Sequence, residues 1–183
     1  DVEVRSRLRS ELSSVLKSCS ASAILVTHDP HEALAICDRV AVLRSGEIQQ
    51  YATPFEMVSN PSNDFIGQFV LQKNILPIQY INDFYSTCIG KLSLPSDISI
   101  SSESVCMFDR NAIRIEPCSN GFFTVISKEY RINHYVYTVI SDSLKLKSEM
   151  KLDTSLSIGD KCNVQPIHEK NFLVLPENIK CKF

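Results

Sequence analysis

Apolar residues recur at three- and four-residue spacing in the first part of the chain and at two-residue spacing in the second. Val4, Leu8, Leu12, Val15 and Leu16 make one stripe, which with Asp1 as N-cap predicts a helix running to about Lys17. After a loop, the run Ala23-Ile24-Leu25-Val26 is too short for a helix and predicts a buried strand, of the kind found in parallel sheets. Asp29-Pro30-His31-Glu32 then offers an N-cap, a proline at the first helical position and an acid three residues after the cap, so a helix follows over 30–38. Val40-Ala41-Val42-Leu43 and Ile48-Gln49-Gln50-Tyr51 flank Ser45-Gly46 and predict a hairpin. Thr53-Pro54-Phe55-Glu56 is a second capping box whose helix should stop at Asn60-Pro61, and Asp64 can cap one more short helix to about Val70.

From residue 74 the texture changes to alternating patches rich in β-branched and aromatic residues, with turns such as Asn120-Gly121 and Gly159-Asp160. Strands are expected over 75–81, 84–92, 104–108, 122–130, 133–140, 143–150, 161–167 and 171–175. Many short strands in a small domain suggest a barrel of the OB type. The pattern therefore predicts an α/β unit over residues 1–72 and an all-β, OB-like unit over 73–183.

Composition narrows the function classes. With 44% hydrophobic and 22% charged residues the chain is of globular type. Six Lys/Arg stand against nine Asp/Glu up to residue 72, and thirteen against twelve beyond it, so neither half is a basic platform for nucleic acid. No apolar run approaches the ~18 residues of a membrane span. Seven cysteines without a C-x-x-C pair fit scattered thiols better than a disulfide framework or a zinc site.

Candidate chemistry centres on His28, which follows a predicted strand. In open α/β sheets ligands gather outside the C-terminal ends of strands, and an imidazole there can bond a phosphate oxygen and sense its loss. The alternative is a histidine that merely hydrogen-bonds the next helix start. His134, Tyr135 and Tyr137 lack the paired carboxylates a hard metal needs, and no metal residue is named. Phe122, Phe123, Tyr130, Tyr135 and Tyr137, with Lys145, Lys147 and Lys151 nearby, could line a base-stacking groove, but Asp142, Glu149 and Asp153 interrupt it. Core packing with a solvated lysine face is the favoured account.

The run Ala23 to Leu34 resembles the switch region of ABC transporter ATPases. Ile36 to Ile48, and Thr53-Pro54-Phe55-Glu56-Met57-Val58 with Asn60-Pro61, resemble the segments those proteins carry next, so the resemblance covers residues 1–72. It implies that His28 contacts the nucleotide γ-phosphate as a catalytic and cofactor-binding residue. It also implies that Asp1 matches the closing aspartate of the D-loop, used across a dimer interface; a plain helix N-cap is the alternative. The second part looks like the TOBE-type accessory domain of importer ATPases. Phe108 to Ile115 resembles its motif of Arg-Pro-Glu before an apolar-Arg-apolar strand, although the Arg-Pro pair is not kept.

The family resemblance implies ATP and Mg2+ as cofactors of the full-length subunit. The implied partners are permease subunits, a second ATP-binding subunit in a homodimer and, indirectly, a periplasmic or extracellular solute-binding protein, at the cytoplasmic side of the cell membrane. Nucleic acid is not an expected partner. The wording of residues 23–77 resembles the iron(III) type most, within a group that also imports sulfate, polyamines and sugars. The 183 residues contain no Gly-x-x-x-x-Gly-Lys-Ser/Thr, Leu-Ser-Gly-Gly-Gln or Walker B pattern and begin at Asp1 rather than Met. The chain is thus expected to be the C-terminal part of such a subunit, unable to hold or hydrolyse ATP well alone. A standalone regulatory or interaction module is the alternative, and an OB-type nucleic-acid binder a third reading.

Overall fold

A computed structural model describes residues 11, 14–16, 18, 19, 21–81, 84–92, 104–142, 144–167 and 172–175. By its contacts the chain divides into two units, Asp1–Ser62 with Cys181–Phe183, and Asn63–Lys180. The division expected from the sequence lies later, between residues 72 and 73.

In the first unit, residues 11, 14–16 and 18 are helical, as the opening stripe predicts. The run Ala23–Val26 is not the buried parallel strand expected of it. It pairs with no strand among the described residues, and Ile24 and Val26 are 94% and 90% exposed. A strand apolar on both faces needs a neighbour on each side to satisfy its backbone, and none is beside it here. No parallel sheet therefore appears among the described residues of this unit. Helix α1 (Pro30–Ile36) follows, with Pro30 in its first turn and Asp29 as N-cap. Strands β1 (Val40–Arg44) and β2 (Glu47–Ala52) form the expected antiparallel hairpin. Its two-residue turn puts Ser45 at φ 53° and Gly46 at φ 83°, the left-handed pair that matches the twist of the strands.

Helix α2 (Pro54–Ser59) realises the capping box in full. The Thr53 hydroxyl accepts from the Glu56 N–H, and the Glu56 carboxylate accepts from both the N–H and the hydroxyl of Thr53. Those bonds, from the Thr53 backbone first and its hydroxyl second, hold the Glu56 carboxyl below its ordinary value. After α2, the buried side chain of Gln50 secures the exit: its amide donates to Asn60 O and accepts from the Ser62 N–H.

The second unit begins with a wide helical turn, Ile66–Val70, wound with an i to i+5 bond from Leu71 N–H to Ile66 O. The side chain that caps it is Asn63, which accepts from the Ile66 N–H; the expected cap Asp64 accepts instead from the adjacent Phe65 N–H. Gly67 lies so close to Met107 that a Cβ would overlap its side chain.

Eleven further strands follow among the described residues. They are β3 (Asn74–Pro77), β4 (Gln79–Ile81), β5 (Phe84–Thr87), β6 (Gly90–Leu92), β7 (Val105–Phe108), β8 (Ile113–Pro117), β9 (Phe123–Arg131), β10 (His134–Ser141), β11 (Leu144–Lys151), β12 (Lys161–Pro166) and β13 (Phe172–Leu175). The expected strand 75–81 is broken at Ile78 into β3 and β4, which join different sheets. The expected strand 84–92 is a hairpin, because a turn at Cys88-Ile89 folds β6 back on β5.

The strands form three antiparallel sheets in the orders β11-β10-β9-β12-β8, β13-β7-β3 and β4-β5-β6. All three contribute to one core, where Phe108, Ile113, Phe123, Tyr137, Leu146 and Leu156 are almost fully buried. Strand pairing among the described residues closes no barrel, so the expected OB-like barrel is not seen as such. A side chain links the two margins of the five-stranded sheet: Ser148 on β11 donates to Ile113 O on β8 at 2.7 Å. The Asn74 amide bonds both Lys147 O, at 2.9 Å, and the Lys147 N–H, at 2.8 Å, on the outer edge of β11.

Candidate functional site

The loop carrying His28 is held by its neighbours' side chains. Pro30 restricts the preceding residue to extended geometry, and Asp29 adopts φ −99°, ψ 106°, the conformation of an N-cap. Its carboxylate accepts from the His31 N–H at 2.9 Å. On the other side the Thr27 hydroxyl accepts from the Asp29 N–H at 3.1 Å and donates to the Glu32 carboxylate at 3.0 Å. Thr27, Asp29 and Glu32 thus close a small ring around His28.

His28 itself is exposed, and its ring makes no hydrogen bond among the described residues. The alternative in which His28 caps the following helix is therefore not what the loop does; Asp29 does that. An exposed imidazole on a pinned loop can donate to or accept from a ligand oxygen without first giving up a protein contact. The sequence alone pointed to His28 but not to the Thr27–Glu32 bond, whose signal is a threonine five residues before an acid across an Asp-Pro helix start. Asp1, the second expected cofactor contact, lies outside the described residues. His31 is exposed at the first turn of α1.

No group of three or more His, Cys, Asp or Glu side chains able to hold a metal ion occurs among the described residues. No described helix is long and apolar enough to cross a membrane.

In the second unit the aromatic residues divide. Phe123 and Tyr137 are core residues, and the Tyr137 hydroxyl donates to Leu156 O and Thr154 O, both at 3.3 Å. Tyr135 packs between Tyr130 and Tyr137 with centroids 5.8 Å from each. Lys128 lies 4.4 Å from the Tyr135 centroid and 5.5 Å from that of Tyr137, and its ammonium donates to Leu156 O. Here the best-placed cation near these rings is already bonded within the fold. The ring of His134 meets the Asn133 side chain at 2.8 Å.

Cysteine chemistry is muted where it is buried. Burial pushes the Cys106 thiol up to about 12 and, with the nearby Asp160 carboxylate, the Cys162 thiol up to about 11. Neither is a nucleophile near neutral pH.

No protein-family model matches the chain. It is similar to ATP-binding subunits of ABC importers over about nine tenths of its length. The spermidine/putrescine import ATP-binding protein PotA of Spiroplasma citri is 30% identical over 176 residues, covering 92% of this chain and 50% of that protein. The Fe(3+) ions import ATP-binding protein FbpC of Streptomyces coelicolor is 30% identical over 167 residues, 90% of this chain and 48% of that protein. The sulfate/thiosulfate import ATP-binding protein CysA of Rhodopseudomonas palustris is 25% identical over 172 residues, 91% and 49% respectively. The chain spans about half the length of the curated relatives it matches.

Proposed function

We propose that this chain is part of the ATP-hydrolysing subunit of an ABC importer, in which His28 reads the state of the nucleotide γ-phosphate. The observation that carries the proposal is the pinned Thr27–Glu32 loop, which leaves the His28 imidazole exposed and without a hydrogen-bond partner among the described residues. Similarity to import ATP-binding proteins over nine tenths of the chain supports it.

In this reading ATP with Mg2+ supplies the phosphoryl group whose transfer to water drives transport. His28 donates a hydrogen bond to a γ-phosphate oxygen while the phosphate is present, and loses that partner after hydrolysis. Thr27, Asp29 and Glu32 position the ring. Asp1 contributes from the interface with a second ATP-binding subunit. Permease subunits at the cytoplasmic face of the cell membrane receive the motion, and a solute-binding protein delivers the solute. Nucleic acid is not a partner.

The second unit acts as a TOBE-type accessory domain of OB-like design. Its five-stranded antiparallel sheet, with margins drawn together by Ser148 and Asn74, supports that reading. The proposed solute is iron(III), supported by the wording of residues 23–77 and by the presence of Fe(3+) import proteins among the relatives. Uptake of labelled iron(III), sulfate and spermidine by cells carrying the importer separates these choices.

The direct test is ATP turnover by the full-length subunit carrying His28→Ala. Loss of one phosphate-stabilising donor should lower turnover by about a hundredfold or more, with melting unchanged. Turnover equal to the wild-type rate sinks the γ-phosphate role.

A further inference from the structure

Asn120 is the one asparagine in the sequence that glycine follows. Residues 118–121 turn the chain between β8 and β9, with the Gly121 N–H donating to Cys118 O at 2.9 Å. Both ends of the turn are tied to β12: the Cys118 N–H donates to Lys161 O at 3.0 Å, and the Phe122 N–H to the Asn163 side-chain oxygen at 3.3 Å. Between these ties Gly121 is buried so close to Cys162 that a Cβ would overlap its backbone. None of Ser119, Asn120 and Gly121 lies at positive φ. Close approach to β12, rather than backbone conformation, is therefore what requires glycine at 121. Asn120 itself is exposed to water.

The side-chain amide carbon of an asparagine is open to attack by the backbone nitrogen of the next residue, and a following glycine leaves that approach unhindered. The nitrogen forms the new C–N bond of a five-membered succinimide. Its proton passes through solvent to the side-chain nitrogen, which departs as ammonia. One water then adds across either C–N bond of the ring, giving aspartate or isoaspartate. In the folded turn the attacking nitrogen is restrained twice. Its N–H is bonded to Cys118 O, and ring closure has to swing a peptide that is packed on Cys162.

We propose that Asn120 is a self-modification site gated by its own turn. The closed turn keeps it an asparagine, and each opening that frees the Gly121 N–H lets it convert to aspartate or isoaspartate, with water the only co-reactant. The packing that demands a glycine thus creates the reactive pair and also restrains it. Isoaspartate adds a methylene to the backbone between the ties at Cys118 and Phe122. A turn held at both ends has no slack for that atom, so the modified turn no longer closes on β12.

The test compares two rates on the intact chain in mildly alkaline buffer, native, in urea below the unfolding transition, and fully unfolded. Peptide mapping by mass spectrometry reads conversion at Asn120, an isoaspartyl methyltransferase reads the isoaspartate, and amide hydrogen exchange reads release of the Gly121 N–H. Folding should slow conversion by at least about tenfold, by the same factor as it slows Gly121 exchange, and the two factors should shrink together as urea is added. Asn120→Gln, which needs a six-membered ring, should give almost no product in the unfolded chain. Three results overturn the proposal: conversion as fast in the native chain as in the unfolded one, a conversion factor that departs from the Gly121 exchange factor, or no acidic product at position 120 in the unfolded chain.

Discussion

The Asn74 side chain is a surrogate strand, and replacing it should open one margin of the five-stranded sheet. Asn74 is 6% exposed, and its amide donates to Lys147 O at 2.9 Å and accepts from Lys147 N–H at 2.8 Å. A primary amide has the donor and acceptor of a peptide group, so it pairs with an edge strand as another strand would. Asn74→Ala removes both bonds. At a net 0.5–1.5 kcal/mol each, the loss is about 1–3 kcal/mol, or roughly 4 °C of melting temperature per kcal/mol for a unit of this size.

Asn74→Asp sharpens the test. Its carboxylate can still accept from Lys147 N–H but faces the Lys147 carbonyl, so burial and lone-pair repulsion raise its folded pKa above the unfolded value. Such a group is least damaging below the unfolded pKa, and the loss of stability develops as pH rises through the folded pKa. Asn74→Asp should therefore be weaker than wild type near pH 7 and approach it near pH 4. The chain has no tryptophan, so urea unfolding is followed by far-UV circular dichroism and tyrosine fluorescence. If Asn74→Ala stays within about 0.3 kcal/mol of wild type, or the Asn74→Asp deficit is independent of pH, the surrogate-strand reasoning fails.

Gly121 sits where a Cβ would overlap the backbone of Cys162, so Gly121→Ala should lower stability by about 2 kcal/mol or more in the same urea assay; wild-type stability would mean that β12 can retreat. Glu56, held below its ordinary carboxyl value by Thr53, adds stability that is present above the unfolded pKa and lost as pH falls through the folded one. Glu56→Gln keeps the capping geometry and should remove that acid-side loss of α2 helicity, read by circular dichroism. Cys106 and Cys162 should resist a thiol reagent at pH 8 until the chain is denatured, while the exposed Cys19 reacts at once.

Much of the fold was legible because its signals are short-range. The Ser45-Gly46 turn, the Thr53–Glu56 box and the alternation at the start of β9 and along β11 and β12 each lie within a few residues, where backbone sterics and side-chain-to-backbone bonds act. The cap at Asn63 was missed because Asp64 is equally eligible, and the choice rests on which carbonyl oxygen reaches Ile66 N–H. The break at Ile78 was missed because alternation continues through it while the chain changes sheets. At the candidate site, His28 was legible from its place before Asp-Pro, whereas the Thr27 hydroxyl could have bonded several acceptors and its choice of Glu32 required the folded loop.

By itself the sequence determined the caps of α1 and α2, the Ser45-Gly46 turn and the histidine at the head of α1, since each depends on neighbours along the chain. Tertiary structure decided partnership. The run Ala23–Val26 has the composition of a buried strand and is exposed, because a strand is stable only when another backbone lies beside it. The same need is met for β11 by a single asparagine from across the unit, a pairing that no local pattern announces because donor and acceptor stand 73 residues apart.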